Sequence, residues 1–318
     1  MKDESVSILN GWRFLFVSGS VALSALAYVV FSLWAGWEDV YGATVKVGVF
    51  TILVSLILSL LNYTLRFVRW DFYLSSLGHS VPRKEHFGIY ISGFALTTTP
   101  GKAGEALRSV FLTRFKVPYT DSIAVLVSER FSDILAVLLL TAFGIFSFPE
   151  FKLLALAFLA VTLGFTALAG SSRLVGFFRT LFQDKPDKFS SAVLKVCALM
   201  EQVRGCNPPY LLVSATVLSF IAWGAEACAF HLILMQMGSD VTLSVSVFIY
   251  SISMLAGAAS FMPGGLGGAE AAMTALLIGV GLPMPEAIAA TVIIRLVTLW
   301  FAVVLGALSL SSIMAKYK

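Results

Sequence analysis

Charge is the scarcest thing in this sequence. Of 318 residues only 13% are Asp, Glu, Lys or Arg, against 58% hydrophobic, and the mean hydropathy is +0.90. A soluble globular domain carries about a quarter charged residues, so the composition excludes a water-facing globule and puts the chain in a bilayer. Cysteine is scarce too. Cys197, Cys206 and Cys228 make no C-x-x-C pair and no disulfide framework, and all three are taken as structural. The three histidines form no H-E-x-x-H or H-x-x-x-H pair. There is no G-x-S-x-G elbow, no P-loop and no phosphotransferase-like Asp cluster. These absences argue against an enzyme, and they imply no cofactor, no metal and no nucleic-acid partner. The net charge of +4 finds its explanation in topology instead.

Long apolar sequence is what the chain has in abundance. Hydropathy predicts six spans, roughly 13–36, 45–67, 121–147, 151–170, 210–236 and 285–312. The small-residue stretch at 24–27 resembles a signal cleavage site, but the apolar run around it is long enough to span and is kept as the first membrane helix. Two further segments break the pattern. In 88–114 about 12 apolar residues, or ~18 Å of helix, precede Pro100-Gly101, too short for a ~30 Å core. A re-entrant or broken-helix hairpin fits. Segment 241–282 has the same plan around Pro263-Gly264, with arms that leave open a hairpin or two full spans. Segment 171–209 is amphipathic. Leu174, Phe177, Phe178, Leu181 and Phe182 share one helical face, and Phe189, Val193, Val196, Leu199 and Val203 another. One or two anchoring helices at the membrane interface are expected there.

Counting crossings puts the N-terminus, 68–87, 115–120, 171–209 and the C-terminus on one side. Sixteen basic residues fall there, Arg66 and Arg69 among them, against Lys46 and Lys152 opposite. That bias makes the first side cytoplasmic. The expected location is the inner (cytoplasmic) membrane, with both termini inside.

A repeat lies under the spans. An offset of 165 takes Glu105 to Glu270, Pro118 to Pro283 and Arg130 to Arg295; Pro100, Gly101 and Gly104 match Pro263, Gly264 and Gly267 at 163. Each half has two helices, a hairpin and a further helix, with halves at 1–147 and 148–318. An odd number of crossings per half inverts the second, the architecture of many secondary transporters. The fold class is therefore an all-α integral membrane protein, six full spans plus two hairpins in an inverted-topology repeat.

Four basic residues remain at membrane depth, Lys102, Arg108, Arg130 and Arg295, with Glu105, Glu129, Asp133, Glu226 and Glu270 as the acids. Each charge needs a partner or a wet cavity, because burial in hydrocarbon costs about 2.5–3.5 kcal/mol on insertion scales. The symmetric pairs are Glu105 with Arg130 and Glu270 with Arg295. Structural pinning is one reading of them. The other starts from a helix beginning after Pro-Gly at mid-depth, which turns free N–H groups toward the centre, while Arg offers a planar fork suited to phosphate. Glycines Gly101, Gly104, Gly264 and Gly267 allow close approach. Together they describe a two-fold polar site for an anionic headgroup, with the carboxylates balancing the arginines. Glu129 and Asp133 are expected to pair with Lys102 or Arg108. Asp133 and Glu226 are possible coupling groups. His231 is expected to be structural, and His79 and His86 to lie in a cytoplasmic loop.

The stretches "TPGKAGEALRSVFLTRF", "SIAVLVSERFSDIL", "PGGLGGAEAAMTALL" and "AATVIIRL" together resemble the flippase-like membrane domain of lysylphosphatidylglycerol synthases and its standalone relatives, over roughly 10–312. The resemblance carries over Pro100, Gly101, Gly104, Glu105, Arg108, Glu129, Arg130, Pro263, Gly264, Gly267, Glu270 and Arg295. It implies movement of a phosphate-bearing lipid between leaflets: an aminoacylated or anionic phospholipid, a polyprenyl-phosphate or a glycolipid carrier. Lipid- or glycan-synthesis enzymes are the implied partners. The chain reaches Lys318 without a soluble aminoacyl-transferase domain, so translocation is expected rather than synthesis. The alternatives are a non-transporting scaffold or accessory subunit, and an intramembrane enzyme for which no nucleophile is in view.

Overall fold

The computed structural model describes residues 37–98, 105–144, 172–183, 188–260 and 262–316, and the isolated positions 153, 156, 157, 159, 160 and 164. The expected span 13–36 lies outside the described residues, as does most of 151–170. All regular structure among them is helical: α1 (Trp37–Ser76), α2 (Arg83–Ser92) running into a 3-10 turn (Gly93–Leu96), α3 (Leu107–Leu112), α4 (Tyr119–Gly144), α5 (Ser172–Phe182), α6 (Lys188–Cys206), α7 (Pro209–Gln236), α8 (Leu243–Ala259), α9 (Gly268–Gly279), α10 (Met284–Arg295) and α11 (Phe301–Lys316). The chain is an all-α membrane protein. Tyr41–Ser76, Pro209–Gln236 and Met284–Lys316 are each long and apolar enough to cross a bilayer. Helix α4 matches them in length but carries Glu129, Arg130 and Asp133.

Local sequence sets where these helices start and stop. Pro82, Pro118, Pro208 and Pro283 stand just before α2, α4, α7 and α10, or begin the proline pair that does, where a missing N–H costs nothing. Helices α1, α7 and α9 stop at Gly78, Gly238 and Gly281, whose φ values of 83°, 83° and 96° are left-handed. Each glycine lets the next residue close a turn back onto the helix: His79 N to Leu74 O, Ser239 N to Leu234 O and Leu282 N to Leu277 O, all at 3.1 Å. Lys116, at φ 61°, does the same after α3.

Helix α1 is built inside out, because its solvent is lipid. Thr51, Ser55, Ser59, Asn62, Arg66 and Arg69 recur at intervals of three or four and are all buried. On the opposite face Val49 (76%) and Phe50 (79%), with Leu53 and Ile57, are exposed. The polar stripe of α1 packs against Ala215, Ser219 and Ala222 of α7, small residues that let two backbones approach. Asn62 Nδ2 then donates to the Ala222 carbonyl at 2.9 Å. Thr141 to Ser251 (3.0 Å) and Thr274 to Thr291 (3.1 Å) tie α4 to α8 and α9 to α10 in the same way.

The two helices of segment 241–282 run to 17 and 12 residues, about 26 and 18 Å, the second shorter than a ~30 Å core. The last expected span is interrupted. Directly after Arg295 the chain makes a π-helical turn, Leu296–Trp300, before α11 resumes. The wider turn leaves the Thr298 carbonyl to accept from the Tyr63 hydroxyl of α1. Segment 171–209 forms two helices, with Phe177, Phe178, Leu181, Phe189 and Val196 exposed.

Candidate functional site

The buried charges meet where α1, α4, α7 and the two hairpins converge. Arg69 has no exposure at all. Its Nη1 donates to Asp133 Oδ1 at 2.5 Å and to Ser219 Oγ, and its Nη2 donates to Glu129 Oε1 at 2.9 Å. Glu129 is shared: its Oε2 accepts from Arg108 Nη2 at 3.3 Å. Arg108 also donates to Glu105 Oε2, one turn back, at 2.8 Å. Its guanidinium lies over the rings of Trp70 and Tyr90 at 4.4 and 4.7 Å. Arg130 stands 3.5 Å from both Glu105 and Asp133 and is about a quarter exposed. Helices α1 and α4 and the first hairpin are thereby pinned by one chain of ion pairs, and α7 joins it through Ser219.

The second hairpin has its own pair, tighter than Glu105–Arg130. Arg295 Nε donates to Glu270 Oε1 at 2.7 Å, and its Nη2 donates to the Gly264 carbonyl at 3.0 Å. Glu270 Oε2 in turn accepts from the Gly267 N–H at 2.6 Å. At the start of α9, expected to offer its N–H groups to a ligand anion, one donor, the Gly267 N–H, is taken by the helix's own Glu270. A carboxylate three residues into a helix reaches back naturally to the donors ahead of it.

Between these clusters lies a cavity of about 390 Å³. Arg66, Arg130, Arg295, Asp133 and Glu226 line it with Tyr63, Phe94, Trp223 and Tyr250. Both hairpins reach it, the first through Phe94 and Thr97, the second through Met262, Gly264 and Gly265. The volume falls within the range of small-molecule pockets, and mostly apolar walls around a few convergent polar groups are the usual pattern. Glu226 accepts a hydrogen bond from the Tyr250 hydroxyl. No group of three or more metal-capable side chains occurs among the described residues.

The structure brings together Glu105, Arg108, Glu129, Arg130 and Asp133, and separately Gly264, Gly267, Glu270 and Arg295. Pro100, Gly101, Lys102 and Gly104 lie outside the described residues, as does the side chain of Pro263. Three expectations change. Arg66 and Arg69, assigned to a cytoplasmic loop, are buried, because α1 continues helical through Ser76. Asp133 pairs mainly with Arg69, not Arg108. His86 is a buried core residue, accepting at Nε2 from Trp70 Nε1 at 2.9 Å, while His79 does pair outside with Asp121 at 2.8 Å. His231 bonds Ser246 at 2.9 Å, as a structural histidine would. A usable signal for the missed arginines existed in the three-and-four spacing of polar residues from Thr51 to Arg69, which window-averaged hydropathy erases.

Comparison with known proteins adds to this geometry. A family model described as the lysylphosphatidylglycerol synthase TM region matches residues 17–306. Similar curated proteins are UPF0104 membrane proteins of archaea. One from Pyrococcus horikoshii is 24% identical, covering 86% of this chain and 90% of its own. One from Methanothermobacter thermautotrophicus is 24% identical, covering 92% of each. One from Methanocaldococcus jannaschii is 23% identical, covering 95% and 94%.

Proposed function

From the premise that this chain belongs to the lysylphosphatidylglycerol synthase TM region family, we propose that it carries a phosphate-bearing lipid between leaflets, headgroup through the central cavity and tails in the bilayer. The observation behind the proposal is the cavity itself, apolar-walled, carrying three arginines and reached by both hairpins. A membrane protein that only needed rigidity would gain more from filling such a space with side chains. Arginine suits phosphate because its planar fork meets two oxygens at once. A volume of about 390 Å³ takes a headgroup but not acyl chains, which must then stay in the surrounding lipid. Candidate cargoes are polyprenyl-phosphate or glycolipid carriers and anionic or aminoacylated phospholipids.

We further propose that the halves are inverted repeats. Glu105–Arg130 and Glu270–Arg295 are both ion pairs spaced by 25 residues. At the same offset of 165, Lys116 and Gly281 both have positive φ, and both are followed by a proline two residues on. Removing Arg66 and Arg69 from the loop tally leaves fourteen basic residues against two, so the cytoplasmic placement of the termini stands as proposed.

The test is reconstitution into vesicles of phosphatidylcholine doped with a phosphatidylglycerol bearing a headgroup-proximal fluorophore, followed by membrane-impermeant reductant. Transport exposes the inner-leaflet label, and Arg130→Ala, at a part-exposed cavity arginine whose ion pairs are at 3.5 Å, abolishes that exposure in protein that still folds. A scaffold has one observation on its side, the engagement of Arg295 by Glu270 and Gly264. In that case neither protein exposes the label.

A further inference from the structure

Arg66 holds an idle two-donor fork. Its Nε and Nη2 have no hydrogen-bond partner among the described residues, and these are the two nitrogens whose N–H bonds lie parallel on one edge of a guanidinium. The nearest charge to Nη2 is Asp133 Oδ2 at 4.0 Å, beyond hydrogen-bond length. The residue is only 7% exposed and lines the cavity, while the two unpartnered nitrogens are themselves buried at its wall. Buried donors in folded proteins are nearly always paired, and a guanidinium far from bulk water pays heavily for an unmet edge. Two rings hold it in place. Its central carbon is 5.6 Å from the Phe94 ring and 5.7 Å from the Trp223 ring, one from the first hairpin and one from α7. Those rings fix the plane of the fork without using its hydrogens. Arg130, which lines the same cavity and whose Nη2 stands 3.5 Å from the same Asp133 Oδ2, also has an unpartnered Nε. By contrast Arg295 spends its Nε and Nη2 on Glu270 and Gly264.

We propose that Arg66, assisted by Arg130, is the seat for the ligand's two-oxygen anion, whereas Arg295 serves chiefly to lock the second hairpin. The chemistry recognised is a phosphate presenting two unesterified oxygens to one guanidinium edge. A phospholipid headgroup and free inorganic phosphate share it. The lipid as source rests on the translocation proposed above; the anion seat does not.

The experiment uses the full chain in uncharged maltoside micelles and three probes: dioctanoylphosphatidylglycerol, inorganic phosphate, and dioctanoylglycerol as a control without phosphate. Binding is measured for wild type, Arg66→Gln and Arg66→Lys, with size-exclusion profiles and melting curves to verify folding. Dioctanoylphosphatidylglycerol should bind wild type and be retained about tenfold or more weakly by both variants, since lysine keeps the charge but not the fork. The same loss seen with inorganic phosphate alone supports the seat and removes the lipid from it. Wild-type binding of either probe that survives both substitutions overturns the seat while leaving translocation standing. If wild type binds none of the probes, or binds dioctanoylglycerol equally well, the seat and the proposed function fall together. A readout free of Arg66 variants runs alongside. An anion on the fork should change tryptophan emission in wild type, and Trp223→Phe should remove that change; binding with no Trp223-dependent signal places the probe elsewhere and overturns the seat.

Discussion

Arg66 and Arg69 stand three residues apart on one helix, and replacing them should cost the fold very different amounts. Arg69 is fully buried and holds Asp133, Glu129 and Ser219 at once. Substituting Arg69→Met strips a cation from two buried carboxylates. Breaking a buried ion pair costs roughly 3–5 kcal/mol, because the abandoned charge stays desolvated. Asp133 keeps Arg130 at 3.5 Å and Glu129 keeps Arg108 at 3.3 Å, so the two losses do not simply add. With a few degrees of melting temperature per kcal/mol, the drop should be on the order of 10 °C. Arg66→Gln removes two ring contacts and a distant carboxylate, worth about 1–2 kcal/mol, so its melting point should move far less. The assay is thermal melting in detergent followed with a thiol-reactive dye. Cys197 and Cys206 are buried in the fold and become reactive as it opens, once the exposed Cys228 is replaced by serine in every variant. Equal shifts for the two variants, or a larger one for Arg66→Gln, would refute the division of the pair into a structural and a ligand-facing arginine.

Three further outcomes are expected. A double-mutant cycle between Glu270 and Arg295, using Gln at both, should give a larger coupling energy than one between Glu105 and Arg130, because the first pair sits at 2.7 Å and is almost dry while the second is at 3.5 Å with its arginine part-exposed. Gly306→Ala should destabilise by about 1–3 kcal/mol in the same melting assay, since its new Cβ would lie 2.2 Å from the Ala95 nitrogen, and backbone of the 3-10 turn cannot step aside. Burial pushes the Cys206 thiol up to about 11, so intact protein should resist alkylation there at pH 7 and gain reactivity only as the pH climbs toward that value, read by peptide mass spectrometry.

The two Pro-Gly stretches announced themselves without a structure. Proline, glycine and paired Glu and Arg stand out against apolar sequence, and offsets of 163 for Pro-Gly and 165 for Glu and Arg tied them together. Both Glu–Arg pairs are in contact. Hydropathy also placed three of the spans within a few residues of α4, α7 and the α10–α11 unit, and the core of α1. It mislaid the end of α1, because Arg66, Arg69 and Asp71 lower the local average just where the helix continues inward. Span-counting treats such residues as loop, although their three-and-four spacing fits a helix with a polar face.

What the sequence by itself determined is the solvent of this protein, the helical class, and the positions where buried charge demands an answer. Each follows from local composition or periodicity, which the chain carries wherever it folds. The choice of partners was left to tertiary structure. Nothing local says that Arg69 serves Asp133 and Glu129 while Arg66 is left with an open fork, or that Arg295 also reaches the Gly264 carbonyl. Those assignments depend on which helix faces which across the bundle. A guanidinium sees only the oxygens within about 3 Å of it, and packing alone brings them there.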